Sequence, residues 1–364
     1  MLPVASLALL LLVVADSGRG RLFACVSLLI ATLPLAATIA WRKRTRGWFI
    51  GVFCGGALWL GMMTSILALA PTGQTRGRMA HAFAAKGQAF SRYSLGNLLP
   101  EGDQLLLGFT LMPLIDPLLT TTQAAELKRL TASLYRELES DADFQALGSV
   151  MSEPYGQLLG QAWKSSHSYV YLPATTDRSQ PRPVLVFFHG SGGNFKVYLW
   201  ILSKLADRLG FALVAPSDGL GNWTTDESRV GLDNALTAAS QVTTIDHTRV
   251  HIIGLSNGGL AISRLAASQG SQFASVVFLS PVFATPEIRS SSFGEQCHDR
   301  RVLVVAGGRD DRIPLSYVEE NAGQMTRAGA QVTLTAIDEA DHFLVFSHRD
   351  QLLPVLEAWF RPGR

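Results

Sequence analysis

The sequence predicts an α/β fold, a mostly parallel sheet with helices on both faces, preceded by transmembrane helices and a helical segment. Three observations carry this. Short apolar or β-branched runs recur at residues 183–188, 211–215, 250–254, 276–279, 302–306 and 332–337. Stretches of helical pattern, such as 199–209 and 232–241, separate them, and strands alternating with helices at this spacing form parallel sheets. The run 250–266 (VHIIGLSNGGLAISRLA) places an apolar strand, a G-x-S-x-G turn and a helix in immediate succession.

The N-terminal region holds three apolar runs. Residues 2–15 are short for a membrane span, and no Lys or Arg precedes them as in a signal peptide. Residues 22–41 and 48–70 each reach the length that crosses a hydrocarbon core at helical rise. A short polar hairpin, Arg42-Lys43-Arg44-Thr45-Arg46, joins them, and the positive-inside tendency puts it in the cytoplasm. The rest of the chain then lies outside, although Arg76, Arg78 and Lys86 weaken that charge bias. Trp41, Trp48 and Phe49 sit at the same end of both spans, where interfacial aromatics belong.

Composition excludes several functions. A net charge of +2 with both signs interspersed leaves no footprint for nucleic acid. Of the three cysteines, Cys25 and Cys54 lie in the apolar runs and Cys297 has no partner outside them, so no disulfide framework is implied. No His/Cys cluster has metal-ligand spacing, and no cofactor is expected.

After the spans the pattern changes. Residues 104–119 are apolar but broken by Pro113 and Pro117, which fits a core or membrane-surface segment better than a span. Residues 124–138 carry apolar positions at helical spacing with Glu126, Lys128, Arg129 and Glu137 elsewhere on the wheel, as in a helix that packs on the domain or caps a site. A linker-like stretch follows at 174–183. The expected organisation is a membrane anchor of two or three helices at 1–72, a helical linker or cap at 73–168 and a catalytic domain at 169–364.

Within that last part, every candidate motif falls at the carboxyl end of a predicted strand, where open α/β sheets carry their chemistry. His189-Gly190-Ser191-Gly192-Gly193 follows the 183–188 strand. A Gly-rich turn frees backbone amides to face a developing oxyanion, and the expected donors are the N–H of Ser191 or Gly192 together with that of Asn257. The turn lacks the Gly-Lys-Ser/Thr ending of a nucleotide loop. In the run Asp218-Gly219-Leu220-Gly221-Asn222-Trp223, Trp223 is either an apolar wall of a substrate pocket or a packing residue. Ser256, in the strand-to-helix elbow, is the candidate nucleophile. Of the eight histidines, His342 stands just after the apolar strand 332–337 and before the last helix, the place of the base in the chain order Ser, Asp, His, whereas His348 lies beside that helix. The orienting acid belongs on the loop after residue 306, where Asp310 and Asp311 are both available and one can serve as a helix cap.

Gly254-Leu255-Ser256-Asn257-Gly258-Gly259, with His189-Gly190 upstream and G-G-R-D-D-R-I-P and D-H-F downstream, resembles the α/β-hydrolase superfamily. The likeness is strongest to the branch holding polyhydroxybutyrate depolymerase-like esterases, dienelactone hydrolases and carboxylesterase/phospholipases, and covers about residues 169–364. In that branch the acid stands in a G-x-x-D-x-x-x-P pattern, which selects Asp310, in register with Pro314. The resemblance implies a serine hydrolase using Ser256, His342 and Asp310 on a small-molecule or lipid ester, and the apolar spans, which lie outside it, make that hydrolase membrane-anchored. The expected partners are that ester and the bilayer, with the catalytic domain outside the cytoplasm. A serine peptidase of the same fold and a non-catalytic hydrolase-fold protein are the alternatives.

Overall fold

The computed structural model describes residues 2–43, 46–75, 77–161, 165–174 and 180–361. Arg44 and Thr45 of the basic hairpin, Arg76, and residues 175–179 of the expected linker lie outside them. The chain divides into two compact units, Met1–Thr72 with Ser91–Glu137, and Gly73–Phe90 with Leu138–Arg364.

The first unit is helical: α1 (Leu2–Val14), α2 (Gly18–Lys43), α3 (Arg46–Leu69), α4 (Leu95–Leu98), α5 (Glu101–Leu111) and α6 (Thr121–Ser140). Two helices, Gly18–Lys43 and Gly47–Leu69, are long and apolar enough to cross a membrane. Helix α1, at 13 residues, falls short of the ~17 a span needs. Its C-terminal end is tied down by the buried carboxylate of Asp103, which accepts the amides of Asp16 at 2.8 Å and Ser17 at 3.3 Å. Tyr135 of α6 donates its hydroxyl to the buried Glu101 at 2.5 Å.

The second unit is built on an eight-stranded sheet in the order β1-β2-β4-β3-β5-β6-β7-β8. The strands are β1 (Met79–Phe83), β2 (His167–Tyr171), β3 (Arg182–Phe188), β4 (Ala212–Pro216), β5 (Ile245–Leu255), β6 (Ser275–Leu279), β7 (Arg301–Gly307) and β8 (Gln331–Ile337). From β4 to β8 the pairing is parallel, while β2 runs antiparallel to β4 and to β1. This order, with antiparallel β2 at one side of a parallel sheet, is the α/β-hydrolase fold.

Alternation along the strands splits the core into two faces. Val184, Val186 and Phe188 of β3 join Val214, Ile252, Val276 and Val304 in one buried cluster that also takes in Leu232, Ala235, Ala261 and Ile262. Those last residues belong to α9 (Thr225–Val242) and α10 (Gly258–Gln269). Phe187 turns to the opposite face, where its ring lies 5.8 Å from that of Tyr198. Tyr198 belongs to α8 (Lys196–Leu209), which packs with the helix Arg349–Phe360.

Residues 73–168 do not form one helical region. Met79–Phe83 is an edge strand, residues 91–137 belong to the helical unit, and the boundary expected at Tyr169 falls inside β2. The reason is pairing: β1 and β2 bond each other along their whole length, and β2 also bonds β4.

Candidate active site

The turn between β5 and α10 holds Ser256 at φ +50°, in the left-handed region that non-glycine residues avoid. Three backbone bonds keep it there. The Ser256 amide donates to Leu279 O at 2.9 Å, and its carbonyl accepts from Gly259 N at 2.8 Å and Val282 N at 3.0 Å. The flanking glycines are steric necessities, since a Cβ on Gly258 would lie 2.1 Å from Phe188 O and one on Gly254 2.5 Å from Gly258 O. The side chain of Ser256 is thereby pushed clear of its own backbone.

His342 lies on the loop between β8 and the short helix Leu344–Ser347. Its Nε2 is 3.0 Å from Ser256 Oγ and its Nδ1 is 2.9 Å from Asp310 Oδ2. A carboxylate only accepts, so Nδ1 carries the proton and Nε2 presents a lone pair to the serine hydroxyl. The Asp310 side chain is 0% exposed, and its other oxygen accepts the amides of Arg312 at 3.0 Å and Ile313 at 2.8 Å. Asp311 is exposed. Burial against the imidazole thus separates two neighbours that physical reasoning on the sequence left equal.

The two loops holding these side chains are stitched together. Gly308 N donates to Ile337 O and Arg309 N to Ala340 O, each at 2.9 Å. Asp310 and His342 are therefore carried by segments joined backbone to backbone.

The His189–Gly193 turn abuts the elbow, for a Cβ on Gly190 would lie 3.2 Å from Ser256 Cβ. His189 is buried with both ring nitrogens engaged. Nδ1 donates to Gly190 O at 2.8 Å, and Nε2 accepts from Asp218 N at 3.1 Å. Burial lowers its pKa to about 4, so the ring is neutral. Because Gly190 O is drawn toward the imidazole, the Ser191 N–H of the same trans peptide points the opposite way.

The expected oxyanion donors divide. Gly192 is not one, because its amide is already spent on Leu220 O at 3.0 Å. The N–H groups of Ser191 and Asn257 have no hydrogen-bond partner among the described residues. Two donors beside a polarised hydroxyl are what stabilisation of a tetrahedral acyl intermediate needs.

Trp223 is not a pocket wall. It is 0% exposed, its ring packs edge-on against Phe188 at 5.1 Å, and its Nε1 donates to His189 O at 2.8 Å. No face of the indole is left for a substrate. Of the two readings open to Trp223, packing is the one the structure shows, and residues 218–223 form a clamp on the His189–Gly193 turn through Asp218 N, Leu220 O and Trp223 Nε1. The dense glycines of D-G-L-G-N-W were its signal.

No protein-family model and no curated protein matches the chain in sequence. Among solved structures, Est1E from Butyrivibrio proteoclasticus is similar at 15% identity and a TM-score of 0.43, over 53% of this chain and 92% of that one. The butyrate-bound esterase Est2 from Thermogutta terrifontis is similar at 14% identity and 0.42, over 54% and 91%. A putative dipeptidyl aminopeptidase IV from Bacteroides ovatus is similar at 15% and 0.44, over 53% and 33%. The strand order and connections of the second unit, rather than these distant likenesses, make this an α/β-hydrolase fold.

Proposed function

We propose that the chain is a membrane-anchored serine hydrolase that cleaves carboxylic esters through an acyl-enzyme. The observation that carries this reading is the unbroken hydrogen-bonded line from Asp310 through His342 to Ser256. Ser256 Oγ attacks the ester carbonyl carbon as its proton passes to His342 Nε2, and the carbonyl electron pair moves onto oxygen beside the amides of Ser191 and Asn257. The intermediate collapses, the bond to the alcohol oxygen breaks, and His342 gives that oxygen its proton. Water then repeats the sequence on the acyl group, releasing the carboxylic acid and restoring Ser256.

Two apolar helices of spanning length precede the hydrolase unit, and in this reading they hold it at a bilayer, outside the cytoplasm. The ester substrate is then lipid-derived or found close to the membrane.

Full-length protein in detergent, treated with a fluorescent fluorophosphonate and assayed on p-nitrophenyl esters, tests the reading. Labelling and turnover are expected in the wild type and absent in Ser256→Ala. Equal behaviour of the two proteins removes the enzyme assignment, and cleavage of peptide anilides in place of esters makes the chain a peptidase.

A further inference from the structure

We propose that Gln157, on a helix outside the sheet, is a positioning residue that sets the oxyanion turn. This deepens the serine-hydrolase reading and rests on it.

The helix α7 (Ser152–Leu158) crosses the turn. Its first part sits on Gly193, where a Cβ would come within 2.8 Å of Met151 Sδ and 3.0 Å of Pro154 Cγ. Its last part reaches the loop after β4. There Gln157 Oε1 accepts the Leu220 amide at 2.8 Å, and the Leu220 carbonyl accepts the Gly192 amide at 3.0 Å. Leu220 is thus a two-ended link, held by Gln157 on its N–H and holding Gly192 on its C=O.

The effect on catalysis follows from which peptides are held. The donor is the N–H of the Gly190–Ser191 peptide. The peptide before it is fixed through His189 O, which accepts from Trp223 Nε1 at 2.8 Å. The peptide after it is fixed through Gly192 N on Leu220 O. With both neighbours clamped, rotation of the donor peptide is suppressed, and an oxyanion donor stabilises charge only when aimed before the reaction begins. Gln157 supplies the outer end of the second clamp.

Gly219 shows that the chain makes room for this amide. It stands at φ +43°, and a Cβ there would lie 2.3 Å from Gln157 Cδ. Only glycine both adopts that backbone and admits the side chain.

The test uses full-length protein in detergent with a fluorophosphonate and p-nitrophenyl butyrate as probes, on wild type, Ser256→Ala, Gln157→Met, Gln157→Glu and Gly219→Ala. Gln157→Met fills the same space without an acceptor and is expected to lower both the fluorophosphonate labelling rate and kcat about tenfold, with KM changed by less than about twofold, the pattern of an interaction felt in the transition state alone. Gln157→Glu keeps an acceptor oxygen and is expected to recover most of the rate. Gly219→Ala, which displaces the amide, is expected to match Gln157→Met, and the double variant to be no slower than either alone. An unchanged labelling rate in Gln157→Met overturns the proposal while leaving the hydrolase reading intact. So does a loss that tracks a fall in melting temperature or that Gln157→Glu fails to recover. Absence of Ser256-dependent labelling in the wild type overturns both.

Discussion

His342 Nδ1 lies 2.9 Å from Asp310 Oδ2 although the two residues are 32 positions apart on separate loops. The loop holding the acid is bonded to the loop holding the base by two main-chain hydrogen bonds, so the contact is set by the backbones of β7 and β8 rather than by side-chain chance. The carboxylate also accepts two amides of its own loop, which hold its rotamer independently of the imidazole.

Asp310→Asn keeps the volume but offers an N–H where the imidazole needs an acceptor, so His342 is driven to the tautomer that cannot take the Ser256 proton. A fall in kcat of about 10⁴-fold is expected, the scale seen when an orienting carboxylate becomes an amide. Asp311→Asn, on an exposed neighbour, should leave kcat within about twofold. Ester turnover of the two variants, measured side by side, checks the assignment, and equal losses would contradict it.

What the sequence made legible follows from how each feature is encoded. Strands β3, β4, β6 and β7 and the second half of β5 are nearly continuous apolar runs because both faces are covered, and such runs stand out. Strand β1 (MAHAF) and strand β2 (HSYVY) do not, since they are short and carry His and Ser. Their histidines are bonded to each other, His81 Nδ1 to His167 Nε2 at 2.9 Å, a pairing no local pattern announces. The elbow was readable because its glycines are forced by backbone contacts. The failure at Gly192 has the opposite cause: whether an amide in a Gly-rich turn is free depends on Leu220, which lies on another loop. Trp223 was undecidable for the same reason, because burial is a property of what packs around a residue.

Trp223→Phe separates packing from substrate contact. The substitution keeps an aromatic ring against Phe188 but removes the donor to His189 O, leaving a buried carbonyl unsatisfied at a cost of about 1–3 kcal/mol. A melting temperature lower by several degrees is expected. The ratio of kcat/KM between p-nitrophenyl acetate and octanoate should stay within about twofold. A tenfold change in that ratio with unchanged melting would return Trp223 to the pocket.

Glu153 gives the fold a pH dependence of known sign. It is buried on α7 with Ser165 Oγ donating to it at 2.8 Å, and burial, helped by the nearby Asp218 charge, raises its pKa to about 7. The folded state therefore keeps a proton that the unfolded chain releases near pH 4.5. The stabilisation is full below that pH and is lost as pH rises to about 7, after which the curve is flat. Buried His189 and His251, both lowered to about 4, act in the opposite direction and gain stability between pH 4 and about 6.5. Their gain masks the Glu153 loss in the wild-type curve, so the informative quantity is a difference. Glu153→Gln keeps an acceptor for Ser165 and has no charge to bury. Its unfolding free energy relative to wild type should rise steadily from pH 5 to pH 7 and level off by pH 8, approaching roughly 3–4 kcal/mol at about 1.4 kcal/mol per pKa unit, with the melting temperature difference following it. A difference curve that stays level across that range would mean that Glu153 ionises as freely in the folded protein as in water.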